Sequence, residues 1–333
     1  MSTVSRREFM RPILAATAAS AVLPWAGAME ATVKRNERVY LVKAKERKEG
    51  LLRALEMFGG LESVVGGKDV FIKVNLCLAR APETGGTCDH VVLATLIERC
   101  FAQGAKTVTV ADSSAVAMAT VLKVNRVHEV ARTHRATFVD LATDSFRLVK
   151  TRDPLLIDGF VLSERALRAE AFINLAKLKT HGVAGVTLSM KNLMGCVLGG
   201  GEERAGAYHW HDYSDRKKMH TLGMQKALVD LNALLHPHLN IIDGFLAQEG
   251  NGPFHGETVE MRTFILGRDR VGVDATATRV MGFDPNHVGH IGDAAKRGMG
   301  LMEPKIEGDR IETLQRRFRP SAVKIPHDVG DRS

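Results

Sequence analysis

The sequence predicts an α/β protein built on mostly parallel, doubly wound sheet. Three observations predict it. Short strand-like apolar runs alternate with helix-length amphipathic stretches between residues 39 and 281. Gly, Asp and Ser punctuate most of the switches from one pattern to the other. Polar and charged residues gather where several strand-like runs end, which is where a doubly wound sheet presents its ligand site. The expected arrangement is two Rossmann-like lobes, about 38–145 and 165–300, with a cleft between them.

The elements follow in order. Val39–Val42 reads as a strand and Lys48–Phe58 as an amphipathic helix. Val70–Val74 is an apolar strand running into Asn75. A helix spans about His90–Gln103, closed by Gly104, a residue suited to the left-handed position after a helix. Thr107–Val110 is a strand ending at Asp112-Ser113-Ser114, with a helix over Val116–Thr133 and a strand over Thr137–Leu141. Phe146–Ser163 reads as a hairpin turned near Pro154. Then come a strand at Ala171–Leu175, a helix at Val183–Met194, a Gly199-Gly200-Gly201 break and a His-rich stretch, Tyr208–His220. A helix at Leu222–Leu235, strands at Leu239–Ile242 and Thr263–Leu266, and a helix at Val273–Met281 complete the pattern. Residues 316–333 carry five basic residues and little apolar pattern, and read as a flexible basic tail.

Composition narrows the function classes. The 333 residues are 45% hydrophobic and 25% charged, which excludes a polytopic membrane protein, a fibre and a wholly disordered chain. Four cysteines, Cys77, Cys88, Cys100 and Cys196, cannot form a disulfide scaffold, although Cys77 and Cys88 are a pair that an oxidising compartment could join. No C-x-x-C occurs, so an iron–sulfur cluster motif is absent. Aromatics at 5% and the lack of a recognition motif speak against a nucleic-acid partner.

Much of the +8 net charge lies outside the expected fold. Arg6, Arg7 and Arg11 stand against Glu8 in residues 1–28, and five basic residues stand against Asp328 and Asp331 in the tail. The body, residues 29–315, keeps +3 of the +8. The leading segment orders a charged region, a weakly apolar run from Ile13 and an Ala26-Gly27-Ala28 terminus, as a cleaved export signal does. Its Arg6-Arg7 followed by Phe9 resembles a twin-arginine signal. That resemblance implies the twin-arginine translocase as a partner, cleavage after about Ala28 and a periplasmic protein with no stable membrane span.

The residues at the expected strand ends are Lys73 and Asn75; Asp112, Ser113 and Ser114; Lys177, Lys179 and His181; and Asp243 with Glu249. Lys177 and Lys179 share a strand face, and two ammonium groups beside a helix start suit a small anionic ligand, phosphate or carboxylate. A solvated Lys-x-Lys is the plainer alternative, as helix capping is for Asp112-Ser113-Ser114. Lys191 and Asn192 fall on or near the next helix. Asp243 and Glu249, among glycines of a Gly-rich loop, would supply acid–base groups or oxygen ligands; turn chemistry alone also explains those glycines. Asp274 reads as a first-turn carboxylate favoured by the helix dipole. His209, His211 and His220 would hold a divalent transition metal (zinc, iron or copper), contact a ligand from a lid, or belong to an ordinary loop.

Taken in order, these segments resemble a known family. Ile72-Lys73-Val74-Asn75-Leu76, Val110-Ala111-Asp112-Ser113, Asn174 to His181, Met190 to Gly195, Ile242-Asp243-Gly244, Glu249 to Pro253 and Val273-Asp274-Ala275 are similar to the family called domain of unknown function 362. The resemblance covers roughly residues 38–300. It implies an α/β architecture and leaves the activity undefined. A fainter likeness, His181 nine residues ahead of Lys191 with Gly195 following, is similar to a segment of the nickel-pincer lactate racemases. It implies Lys191 as a residue joined to a cofactor and His181 as an acid–base or nickel-side group. The expectation is therefore an enzyme, metal- or cofactor-dependent, acting on a small anion. A carrier that binds the same ligand without turnover is the alternative.

Overall fold

The computed structural model describes residues 38–199 and 216–322. Eleven strands lie among them: β1 (Arg38–Lys43), β2 (Asp69–Lys73), β3 (Thr107–Asp112), β4 (Thr137–Asp140), β5 (Phe146–Lys150), β6 (Gly159–Ser163), β7 (Ala171–His181), β8 (Gly185–Thr187), β9 (Leu239–Asn251), β10 (His255–Gly267) and β11 (Lys305–Gly308). Nine form a single sheet in the order β11-β1-β10-β9-β7-β2-β3-β4, with β8 paired to β7; β5 and β6 make a separate hairpin. The run β9-β7-β2-β3-β4 is parallel throughout, whereas β10 is antiparallel to both β1 and β9.

The α/β class and the mostly parallel central sheet are therefore as expected, but the two lobes are not. β1 belongs by sequence to the first lobe, yet it pairs with β10 and β11, the last strands of the chain. β2 pairs directly with β7, welding the two stretches into one sheet. Both pairings bury apolar runs that would otherwise leave hydrogen-bonding edges open.

Alternate residues of the central strands serve opposite faces. Val70, Ile72, Ile173 and Leu175 pack beneath the helices Arg47–Met57 and His90–Ala102. Phe71 and Phe172, edge to face at 4.9 Å, point the other way into a core shared with Leu193, Leu228 and Leu231. The His90–Ala102 helix starts where Asp89 accepts hydrogen bonds from Val91 N and Val92 N, satisfying otherwise orphaned donors. Among the described residues no helix is long and apolar enough to cross a membrane.

Several element boundaries differ from the sequence pattern. The expected helix Val116–Thr133 is broken at Arg126, which adopts a left-handed conformation (φ 61°) between two shorter helices. The expected helix Val183–Met194 begins instead as β8, after which a single turn, Ser189–Asn192, and a 3-10 segment carry the chain on. Its β-branched Val186 and Thr187 pair with Thr180 and Lys179 of β7. Glu249 lies inside β9 rather than in a Gly-rich loop. Gly244 is a strand glycine because Leu178 and the Thr263 carbonyl would sit 2.9 and 3.0 Å from any Cβ there. The start of the tail is docked, not loose: Phe318 is buried, and Arg316 N and Phe318 N donate to the carbonyls of Val280 and Met281.

Candidate functional site

Four parallel strands, β2, β3, β7 and β9, bring their carboxyl ends together, and the register decides which side chains meet. Lys73 lies beside Ala111 of β3 and Asn174 of β7. Asn174 lies beside Asn240 of β9, and Lys177 beside Asp243. The result is a buried polar layer, with Lys73 and Lys177 each 1% exposed and Lys179 fully covered.

Burying an ammonium is tolerable only with compensating partners, and these three lysines have them. Lys73 Nζ sits 2.7 Å from Asp112 Oδ1 and donates to the Val74 carbonyl at 2.6 Å. Asp112 also accepts from Leu76 N and Ser113 N. Lys177 Nζ reaches Asp243 Oδ2 at 2.7 Å, while Asp243 Oδ1 accepts from Phe245 N. Burial pushes the Asp243 carboxyl up, against the pull of Lys177. Lys179 Nζ donates to Asn75 Oδ1 at 2.9 Å and to the Gly86 carbonyl at 2.7 Å. With no carboxylate in contact, burial brings Lys179 down to about 8.

From Lys179 a chain of amides crosses the layer. Asn75 donates to Asn192, Asn192 to Asn174, Asn174 to Asn240, and Asn240 to the Arg268 carbonyl. An ammonium can only donate and a carbonyl only accept, so the two ends fix the orientation of all four amides. The chain ties β2, β7 and β9 to the Ser189–Asn192 turn that carries Lys191.

That turn is held from outside by Asp274, which accepts from Ser189 N at 2.8 Å, Met190 N at 2.9 Å and the Ser189 hydroxyl. Asp274 is fully buried, and burial raises its carboxyl to about 7. The sequence reading as a first-turn carboxylate is thus replaced: Asp269 caps that helix, and Asp274 positions the Lys191 segment. Gly195 closes the same segment over the Lys73–Asp112 pair, where a Cβ would come within 2.1 Å of Asp112 Oδ1 and 2.6 Å of Lys73 Nζ. The Ser113 hydroxyl donates to the Gly195 carbonyl. Arg216 bonds the carbonyls of Ser113, Ser114, Gly195 and Val197, a role no sequence pattern marked.

Lys191 differs from the other three lysines. Among the described residues its Nζ donates only to the Met194 thioether, at 3.0 Å. Burial lowers it to about 8, opposed by Cys77 and reinforced by Arg216 and Lys73. Beside it, His181 Nδ1 accepts from Val183 N at 3.0 Å and Ala184 N at 3.1 Å. That leaves the proton on Nε2. Burial, then Lys191, keeps the ring neutral by pushing its pKa well below the usual imidazole value. The site thus presents a buried amine poised between its two protonation states and a neutral imidazole N–H donor.

Of the sequence candidates, Lys73, Asn75, Asp112, Ser113, Lys177, Lys179, His181, Lys191, Asn192 and Asp243 come together here. Asp243 is spent on Lys177 and the Phe245 amide rather than left free for acid–base work. Glu249 is elsewhere, accepting from Arg319 N at 2.9 Å and Arg319 Nε at 3.2 Å as the anchor of the tail. His220 is exposed and bonds the Arg216 carbonyl one turn back. His209 and His211 lie outside the described residues. Among the described residues no group of three or more His, Cys, Asp or Glu is disposed to hold a metal ion. All four cysteines are free, Cys88 buried and Cys77 partly so.

The chain matches the family model described as "Domain of unknown function (DUF362)" over residues 70–279. It is similar to a thylakoid-associated protein of Synechocystis sp., with 33% identity over 140 residues, 42% of this chain and 40% of that protein. Among solved structures, the lactate racemase apoprotein of Thermoanaerobacterium thermosaccharolyticum aligns with 73% of this chain and 57% of its own, at 12% identity and a TM-score of 0.47. A Thermotoga maritima protein aligns with 75% of this chain and 59% of its own, at 12% identity and a TM-score of 0.40. The chain spans less than two-thirds of the length of each.

Proposed function

The chain belongs to the domain of unknown function 362 family, and from that premise we propose that it is an enzyme acting on a small anionic substrate at Lys191 and His181. One observation carries the reading. Three buried lysines are satisfied by carboxylate, amide or carbonyl oxygens, whereas Lys191 has only a thioether. A buried ammonium without an oxygen partner is destabilising, and it persists where a ligand completes it. A carboxylate or phosphate oxygen is the natural complement, with the His181 Nε2–H as a second donor to the same anion. Once the anion is bound, Lys191 near 8 is basic enough to accept a proton and acidic enough to return it. The amide chain and Asp274 would hold the amine in place through that exchange. No step is assigned to a metal.

The test is binding of acetate and inorganic phosphate to the full chain and to its Lys191→Met variant, by calorimetry between pH 6 and pH 10. Affinity should be highest below about pH 8, fall as Lys191 loses its proton, and drop at least tenfold in the variant. Equal affinity in both proteins would overturn the reading. A ligand recovered unchanged after prolonged incubation, with no exchange of its protons into heavy water, would convert the enzyme into a carrier. Export is a second part of the proposal, supported by Arg6, Arg7 and the Ala26-Gly27-Ala28 terminus. Cell fractionation tests it: Arg6→Lys with Arg7→Lys should leave the protein in the cytoplasm, and unaltered localisation would refute it.

A further inference from the structure

A second imidazole next to this site is used by none of the chemistry above. His290 is fully buried on the helix Gly289–Lys296, and its Nε2 has no hydrogen-bond partner among the described residues. Its protonation can be worked out from its neighbour. The backbone N–H of His290 donates to Gln225 Oε1 at 2.8 Å, which fixes that atom as the amide oxygen. His290 Nδ1 lies 2.7 Å from the same oxygen, so Nδ1 must carry the proton. Burial, then the Lys191 charge, lowers this histidine to about 3, so it is neutral at any ordinary pH. Nε2 is therefore a bare lone pair, an acceptor with no donor.

The other end of Gln225 connects His290 to the site. Gln225 Nε2 donates to the Val183 carbonyl, and Val183 N donates to His181 Nδ1. The two histidines are thus held in opposite tautomers by one short relay: His181 offers an N–H, and His290 offers a lone pair. Lys191 is the charged group acting on both. A buried acceptor left unpaired costs about 1–3 kcal/mol, and here it coincides with an ammonium that also lacks an oxygen partner. Any anion stripped of hydrogen-bond donors would satisfy Lys191 and His181 and still leave His290 unpaired.

We infer that the substrate carries a hydroxyl group as well as its anionic group, and that His290 Nε2 accepts the hydrogen bond from that hydroxyl. This specificity role rests on the anion site at Lys191 and His181. An ammonium group as the donor is disfavoured because Lys191 already supplies positive charge there.

The test compares matched acids with and without the hydroxyl: glycolate against acetate for a carboxylate head, and glycerol 3-phosphate against propyl phosphate for a phosphate head. Calorimetry on the full chain should show the hydroxyl-bearing member of at least one pair binding about tenfold more tightly. His290→Asn keeps an amide N–H toward Gln225 while removing the Nε2 acceptor, and should erase that preference. His290→Gln, which returns an oxygen near the Nε2 position, should restore it. If both members of each pair bind equally and Lys191→Met weakens them all, the anion site stands and the hydroxyl role falls. A preference that survives His290→Asn would also overturn it. If the unaltered protein binds none of the four, both readings fall together.

Discussion

Lys73 and Lys191 are a few residues from the same helical turn, yet the fold treats them in opposite ways. Lys73 meets a carboxylate at 2.7 Å, and that carboxylate takes two further backbone donors. Lys191 meets a sulfur. Desolvation is similar in kind for both, so the difference lies in compensation. A charge neutralised on every side is scaffold: it locks β2 to β3 and cannot titrate without breaking the layer. A charge left open costs stability in the empty protein, and that cost is recovered when something binds. Lys177 with Asp243 falls on the first side of this division. Lys179 stands between the two, bonded to oxygens but lowered to about 8.

The sharpest way to break this comparison is to remove the partner from a scaffold lysine. Asp112→Ala strands Lys73 and two backbone donors, and should cost about 3–5 kcal/mol, the range for a buried pair that loses one member. Chemical denaturation measures it. A loss below about 1 kcal/mol would mean that Lys73 is no better compensated than Lys191, and the division would collapse.

The second prediction has the opposite sign. Lys191→Met should stabilise the empty protein at pH 7 by roughly 3 kcal/mol, the equivalent of lowering a lysine from 10.5 to about 8. The pH dependence makes the cause identifiable. Between about pH 8 and pH 10.5 the unfolded chain still holds the Lys191 proton that the folded protein has released, so stability rises with pH across that window. Below pH 8 both states hold the proton and the full penalty applies. Lys179 contributes a rise of the same sign in the same window, so Lys191→Met should remove about half of it. An undiminished slope would assign the whole effect to other groups.

How much of this was legible beforehand follows from what a parallel sheet does and does not encode. Strand ends are readable, because an apolar run that stops at Lys73-Val74-Asn75 or Lys177-Leu178-Lys179 announces where backbone leaves the core. Ten of the candidate residues converge for that reason. Strand order is not readable, because it is set by pairings distant in sequence, and so β1 beside β10 turned two expected lobes into one sheet. Gly244 was a misleading signal, since glycine permits a loop and equally permits two packed neighbours to approach a strand. Asp274, Gln225 and His290 had no local signature at all. Their importance comes from an acceptor or donor that only the folded neighbours define.

The smallest expected effect concerns Glu249, the carboxylate that sequence position made a catalytic candidate. In the fold it is bound by the Arg319 amide and guanidinium at the edge of β9, and Arg319 reaches on to Glu257 at the surface. Arg319 is 57% exposed, so solvent screens much of the attraction, and an exposed pair of this kind contributes about 1 kcal/mol or less. Glu249→Gln keeps an oxygen for the Arg319 amide and removes only the charge. It should therefore lower stability by at most about 1 kcal/mol, loosen residues 316–322 as read by amide hydrogen exchange, and leave anion affinity at Lys191 unchanged. A tenfold loss of that affinity with the fold intact would return Glu249 to the site. The boundary between scaffold and open charge would then have to be drawn around β9 as well as around the Lys191 turn.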